Sequence, residues 1–261
     1  MKSYIKQEIR RAFLSKRTML MYIFSMGLFF GGMYQYIAWL PSQSVSIMYT
    51  FLSGYNSGTL SYLALLFPLI ASIPYATSYI EDCTSGFNKY IYTRMNKMKY
   101  LHIRVIINAL VGGFALSIGP ILAMLFLLAI KLFTNASMLK AEEQLETITY
   151  FYSQGIDSPL LMMLVIIAII FVCGAAIATF TLGLSTILQN HYFTALSSFI
   201  VLIVSATLFT RYNAKFSLIS IYDVDHFGMT FLERFIYELI LIGIGLVLIY
   251  TNGRRLEAKH D

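Results

Sequence analysis

Charge is what this sequence has least of. Acidic and basic residues together make up 12% of the chain, about half the share found in a soluble domain. With 58% hydrophobic residues, the chain cannot cover itself with polar surface. That argues against a water-soluble globule and for an integral membrane protein. Cysteine is nearly missing as well: Cys83 and Cys173 are the only two. One falls in a basic loop and the other inside an apolar run, which argues against a disulfide between them.

Catalytic motifs are equally scarce. No G-x-x-x-x-G-K-[ST] occurs, so the chain is not expected to bind ATP through a phosphate loop. No H-E-x-x-H occurs, and His102, His191, His226 and His260 are scattered rather than grouped at ligand spacing. Asp223-Val-Asp225-His226 comes nearest to a metal site, and a solvated turn explains it equally well. Ser53-Gly-Tyr-Asn-Ser57-Gly58 has no partner base and reads as turn chemistry. The two halves of the chain do not match in loop length or charge, which weakens an inverted-repeat secondary transporter. The first apolar run is too long for a signal peptide and lacks a small-residue cleavage site, so it is expected to be an uncleaved anchor.

What is present is long apolar runs. Six stretches reach the length needed to cross a bilayer: residues 18–40, 59–80, 105–133, 159–188, 193–210 and 231–250. The cations between them are unevenly placed. Fourteen of the nineteen Lys and Arg residues fall at the N-terminus, in the segment 81–104 or at the C-terminus. Lys2, Lys6, Arg10, Arg11, Lys16 and Arg17 precede the first span, so the N-terminus is expected inside the cell, and six crossings return Arg254, Arg255 and Lys259 to the same side. The segments 41–58, 134–158 and 211–230 hold only Lys140, Arg211 and Lys215 and are expected outside. Cations gathered in this way set topology and touch anionic lipid, so a nucleic-acid partner is not expected. Abundant Lys, Ile, Tyr and Asn suggest a bacterium with an AT-rich genome.

The predicted fold is an all-α integral membrane protein: an amphipathic interfacial helix over residues 1–17, then one six-span domain over 18–261. Ile5, Ile9, Ala12 and Phe13 recur on one helical face with cations around the rest, which suits a helix lying in the membrane interface. A disordered basic tail is the alternative. In the outer segment 134–158, Ser137 is a candidate N-cap for a short polar helix carrying Glu142 and Glu143. The segment 211–230 is too apolar for a free loop and is expected to dip back toward the bilayer or to cap the bundle. Gly27-x-x-x-Gly31, Gly112-Gly113-x-x-x-Ser117 and Gly174-x-x-x-Ala178 place small residues on one helix face, as close helix packing requires and as a pore lining would also tolerate. Glu238 is a carboxylate within the last span. Either Arg234, one turn away, satisfies it, or it faces a polar cavity and contacts cargo.

The segment 81–104 is the most distinctive. After Glu81-Asp82, Thr84 or Ser85 can cap a short helix over residues 87–98, and Gly86 permits the turn into it. Such a helix presents Phe87, Tyr90, Ile91 and Arg94 on one face, an aromatic–arginine stripe fit for a groove on a partner. A helix resting on lipid is the alternative.

This layout resembles an ABC-2 type transporter permease, the membrane subunit of type-2 ABC exporters. The shared features are the amphipathic N-terminal helix, six spans with both ends inside, and an acidic-x-x-x-Gly segment after span two, matched by Asp82-Cys-Thr-Ser-Gly86. In that family the segment leads a coupling helix followed by a basic residue, here Arg94; the family's apolar run ending in Pro is replaced by Tyr90-Ile-Tyr-Thr-Arg94-Met-Asn. The resemblance implies a separate cytoplasmic ATPase in two copies, carrying the ATP and Mg, with no cofactor in this chain. It also implies a second permease protomer, homologous or identical. The family's pathway runs between protomers along spans two and five. Here these carry Tyr62, Phe67, Pro68, Pro74, Tyr75 and Ser78, then Thr194, Ser197, Ser198, Ser205 and Thr207. That lining suits hydrophobic or amphipathic cargo, with antimicrobial or toxin peptides the leading candidates, for secretion or for self-immunity. The two prolines are expected to kink span two. A non-transporting assembly or sensor subunit and, more remotely, an intramembrane enzyme are the other readings.

Overall fold

A computed structural model of the protein describes residues 2–42, 44–57, 62–140, 143, 145–188, 190–209, 211–224 and 228–252. Gly58, Glu142, Asp225, His226, Arg254, Arg255, Lys259 and His260, all named above, lie outside the described residues, as do positions 59 and 210 that bound two of the expected spans. Among the described residues every regular element is helical.

Helix α1 covers Lys2–Phe13. The Ser15 hydroxyl then accepts the Thr18 N–H and starts α2, Lys16–Ile37. A short α3, Ile47–Leu52, runs into a π-helical turn, Ser53–Ser57. Next come α4 (Leu63–Ser72), α5 (Ser78–Thr84), α6 (Phe87–Tyr92) and α7 (Lys97–Phe133). The remainder is α8 (Glu146–Ser153), α9 (Pro159–Leu184), α10 (His191–Phe209), two 3-10 turns (Ala214–Phe216 and Leu218–Ile221) and α11 (Phe231–Asn252). Thr230 and Glu233 form a reciprocal capping box at the head of α11: the Thr230 N–H donates to Glu233 Oε2 at 2.8 Å and the Glu233 N–H to Thr230 Oγ1 at 3.2 Å.

Among the described residues, three helices are long and apolar enough to cross a bilayer: α7, α9 and α10. The 37 residues of α7 make a rod of about 55 Å, well beyond the roughly 30 Å of hydrocarbon. The sequence placed the start of this span at residue 105; the helix begins eight residues earlier, where the Asn96 side chain accepts the Met98 N–H at 2.9 Å. The stretch 59–80 is not one helix. It breaks between α4 and α5 around Pro74, because proline has no N–H to continue the ladder and disfavours a helical residue before it. Pro68, by contrast, sits inside α4.

The centre of the bundle is α7 against α9, with α11 on α9 and α2 on α7. Small residues set the spacing. A Cβ at Gly174 would stand 2.6 Å from the Gly112 carbonyl oxygen, and one at Gly245 would stand 2.6 Å from the Thr179 carbonyl oxygen. Asn108 Nδ2 donates to the Ala178 carbonyl at 2.6 Å across the same contact. Gly27 and Gly31 differ, since nothing lies within 4 Å of a Cβ built at either. Their stripe is open in this chain rather than packed.

Residues 47–52, read from sequence as part of an outer loop, and residues 218–224, part of the segment too apolar for a free loop, both belong to the core. Ile47, Met48, Phe51 and Leu52 of α3 are fully enclosed, and Phe51 packs on Phe29 with ring centroids 5.3 Å apart. The N–H groups of Ile47 and Met48 donate to the carbonyls of Ser137 and Met138. Ser137 therefore lends its backbone to α3 and caps nothing; the short helix expected around it is α8, further along. Residues 218–224 fold back on the bundle, with Leu218, Ile221, Tyr222 and Val224 buried.

Candidate functional site

The amphipathic pattern of α1 turns one residue inward that pattern alone did not single out. Glu8, the only acid in this basic helix, is 3% exposed. Ala12, one turn on, is buried against Tyr75, Ile107 and Val111, while Ile9 is exposed. Glu8 meets the Tyr75 hydroxyl, which donates to it, and Arg104 Nη2 at 3.4 Å.

Arg104 is the hub. Its side chain is 1% exposed and stands at the end of α7 nearest α1. Nη1 donates to Ser78 Oγ at 2.8 Å, and Nη2 donates to Asp82 Oδ2 as well as to Glu8. The guanidinium carbon lies 5.0 Å from the Tyr100 ring centroid and 5.5 Å from that of Tyr75, so aromatic faces cover the charge that water would otherwise solvate. Tyr100 OH donates to Asp82 Oδ2 at 3.0 Å, and both Nη atoms of Arg11 donate to Asp82 Oδ1 at 3.0 Å. Arg17 closes the rim, donating to Glu81. Arg11 is held more firmly protonated than usual: partial burial pulls its pKa down, but the carboxylates of Asp82 and Glu8 outweigh that. Burial, reinforced by Glu8, pushes the Tyr4 hydroxyl up to about 12. This clasp ties α1, α5 and α7 together at one end of the bundle, the basic end.

The helix α6 hangs from this clasp. Gly86 turns into it at φ 69, the left-handed region that side chains avoid. Thr84 caps nothing here; its hydroxyl donates back to the Ile80 carbonyl at 2.9 Å. The helix ends at Tyr92 rather than running to residue 98, because Asn96 caps the next one. Of the four residues expected on its outer face, Tyr90 is 74% and Phe87 44% exposed, and Arg94 is exposed just past its end. Ile91 faces inward, in a small cluster with Tyr79, Tyr100 and Leu101. Tyr4, Phe87, Tyr90, Arg94, Asn96 and Lys99 line an open groove of ≈ 690 Å³ between α1 and α6. Glu81 sits at the rim, whereas Asp82 is enclosed and positions the segment rather than offering a contact.

The residues assigned to a pathway are mostly packed within this chain. Tyr62 is 52% exposed, but Phe67, Tyr75, Ser78, Thr194, Ser197, Ser198 and Ser205 are buried. Phe67 stacks on Tyr222 at 5.2 Å. The hydroxyls serve backbone carbonyls: Ser198 donates to Pro68 at 3.3 Å, Thr194 to Leu188 at 3.0 Å and Ser197 to Thr194 at 2.7 Å. Ser72 donates to the Ala195 carbonyl, so α4 and α10 are sewn together. Glu238 is buried, and Arg234 does not form the expected ion pair with it. Arg234 Nη2 instead donates to the carbonyls of Asp223 at 2.7 Å and Val224 at 3.1 Å.

Neither a protein-family model, nor a curated protein, nor a solved structure matches this chain. The basic end presents an aromatic–cationic projection, Phe87, Tyr90 and Arg94, beside a buried ion cluster that joins α1, α5 and α7.

Proposed function

We propose that this chain is the membrane-spanning subunit of an ATP-driven exporter of the ABC-2 kind. The observation that carries this reading is the clasp beneath α6. Phe87 and Tyr90 project from a short helix whose base is anchored by Asp82 to Arg104 of α7 and Arg11 of α1. A push on such a helix is delivered to the bundle rather than absorbed in a flexible loop, which is what a motor in a separate subunit requires.

In this reading the six crossings are α2, the broken pair α4–α5, α7, α9, α10 and α11, with the basic end and both termini in the cytoplasm of a bacterial cell. Two copies of a cytoplasmic ATPase, supplying ATP and Mg, grip α6 in a dimer of permeases. Hydrophobic or amphipathic peptides are the cargo, secreted or expelled in self-protection. Because Phe67, Thr194 and Ser198 are packed within one protomer, the pathway lies on the outward faces of α4 and α10, where Tyr62 is exposed, and forms between two copies.

The test is affinity purification of the tagged full-length protein from its native membrane in mild detergent. A cytoplasmic ATPase is expected to co-purify, and Phe87→Ala or Arg94→Ala should reduce its recovery by about tenfold or more, as loss of an interface anchor does. Both variants leave the clasp untouched, so yield and unfolding temperature should stay at the wild-type level. Recovery of non-ATPase partners alone would replace the exporter with an assembly or sensor subunit.

A further inference from the structure

At the junction of α1 and α2, Arg11, Lys16 and Arg17 face Thr77 and Glu81 across an open pocket of ≈ 190 Å³ beside the Pro74 break. Two of the three cations are engaged. Arg11 donates to Asp82 Oδ1 at 3.0 Å, and Arg17 donates through Nη1 to Glu81 and, at 3.4 Å, to Thr77 Oγ1. Lys16 is exposed, and among the described residues no carboxylate pairs with it. Helix α2 thus opens on two cations with no acid in its first turn, the reverse of what the positive end of a helix dipole favours. An anion in the pocket would answer the Lys16 ammonium, the exposed Arg17 guanidinium and the dipole together.

The surface that continues from this pocket along α2 is apolar and open. Leu20, Ile23 and Phe24 are exposed, one and two turns past Lys16 and Arg17 on the same face. Gly27 follows on that face, and nothing lies within 4 Å of a Cβ built there. It stands ten residues past Arg17, about 15 Å of helix rise and half of the roughly 30 Å of hydrocarbon. A cationic mouth above an apolar groove one leaflet deep fits a ligand with an anionic head and an apolar chain. We propose that it holds one anionic phospholipid of the leaflet at the basic end, its phosphate on Lys16 and Arg17 and a chain along Leu20, Phe24 and Gly27. Glu81 borders the site and competes with the phosphate for Arg17. A second copy of the chain fits the same face poorly. Packed about a two-fold axis along the membrane normal, it would set Lys16 and Arg17 against their own counterparts, like charge on like. The site rests on one part of the function proposed above, that α2 crosses the bilayer, and needs neither ATPase nor cargo.

The test is native mass spectrometry of the full-length protein, stripped of lipid in detergent and titrated with phosphatidylglycerol or with phosphatidylcholine of the same chains. The first phosphatidylglycerol should bind about tenfold more tightly than phosphatidylcholine, and Lys16→Gln should remove about that factor, the size of one charge-assisted hydrogen bond. Glu81→Gln should shift the affinity the other way, since it frees Arg17. Gly27→Leu fills the groove and should weaken binding several-fold. Arg10→Gln removes an exposed cation of α1 that does not line the pocket and should change nothing. Lys16 and Gly27 are both exposed, so these variants should melt with the wild type in lipid-free detergent. Equal binding of the two lipids, or a loss with Arg10→Gln as large as with Lys16→Gln, would overturn the site and leave diffuse surface charge. Displacement of the lipid by an equal concentration of inorganic phosphate would make it a site for a free anion instead. A failed co-purification of an ATPase would sink the exporter reading and leave this titration to decide the lipid site.

Discussion

Arg104→Met is expected to destabilise the protein by about 3–5 kcal/mol, because removing one partner of a buried ion cluster strands the other. The guanidinium is fully enclosed and serves Glu8, Ser78 and Asp82 at once. Without it two buried carboxylates remain, served by the Tyr75 and Tyr100 hydroxyls and by Arg11, whose side chain is 40% exposed and which is, among the described residues, the one cation left beside both. The unfolding midpoint of the detergent-purified variant should fall by on the order of 10 °C. Arg104→Lys should recover only part of the loss, since an ammonium lacks the planar fork that reaches three acceptors. Removing the charges together, as Glu8→Gln, Asp82→Asn and Arg104→Met, should be less damaging than the single change, because the cluster acts as a unit. A single variant that melts within about 3 °C of the wild type would mean that the clasp is solvated and holds nothing.

Gly245→Val is the second large effect. A Cβ at this position meets the Thr179 carbonyl oxygen at 2.6 Å and the Phe180 Cα at 3.0 Å, and main chain cannot rotate away as a side chain can. Overpacking of this kind costs about 1–3 kcal/mol or more, and a clash with the backbone places it at the upper end. The contrast is two residues away. Nothing lies within 4 Å of a Cβ at Gly243, so Gly243→Val should be neutral or slightly stabilising through helix propensity. Thermal unfolding of the pair in the same detergent separates them. Equal losses would mean that α9 and α11 are spaced by something other than these glycines.

The two cases differ in how much could be read beforehand. Small residues at one-turn spacing are visible in any sequence, and Gly112, Gly174 and Ala178 do meet across α7 and α9. Gly27 and Gly31 have the same spacing and meet nothing, because spacing reports a smooth face and not which helix lies against it. Glu8 was hidden for a related reason. Its one signal was being the only acid in a basic helix, and the direction of a side chain depends on how the helix is rolled. The Thr230-x-x-Glu233 capping box is legible in the sequence, as a hydroxyl and a carboxylate three residues apart at the head of an apolar run. The core position of residues 47–52 was obscured because a six-residue apolar run is too short to suggest a span.

Local chemistry is what the sequence by itself determined: apolar runs of membrane length, cations gathered at a few places, the break near Pro74, the turn at Gly86, and the projecting Phe87, Tyr90 and Arg94. Each depends on neighbours within one or two turns. The tertiary structure decided the partners. Arg104 takes Asp82 and Glu8, 22 and 96 residues away, and Arg234 takes the carbonyls of Asp223 and Val224 instead of the carboxylate beside it. A buried charge must find its acceptors wherever the packed helices bring them, and that depends on how whole helices roll and cross, which no stretch of sequence encodes alone.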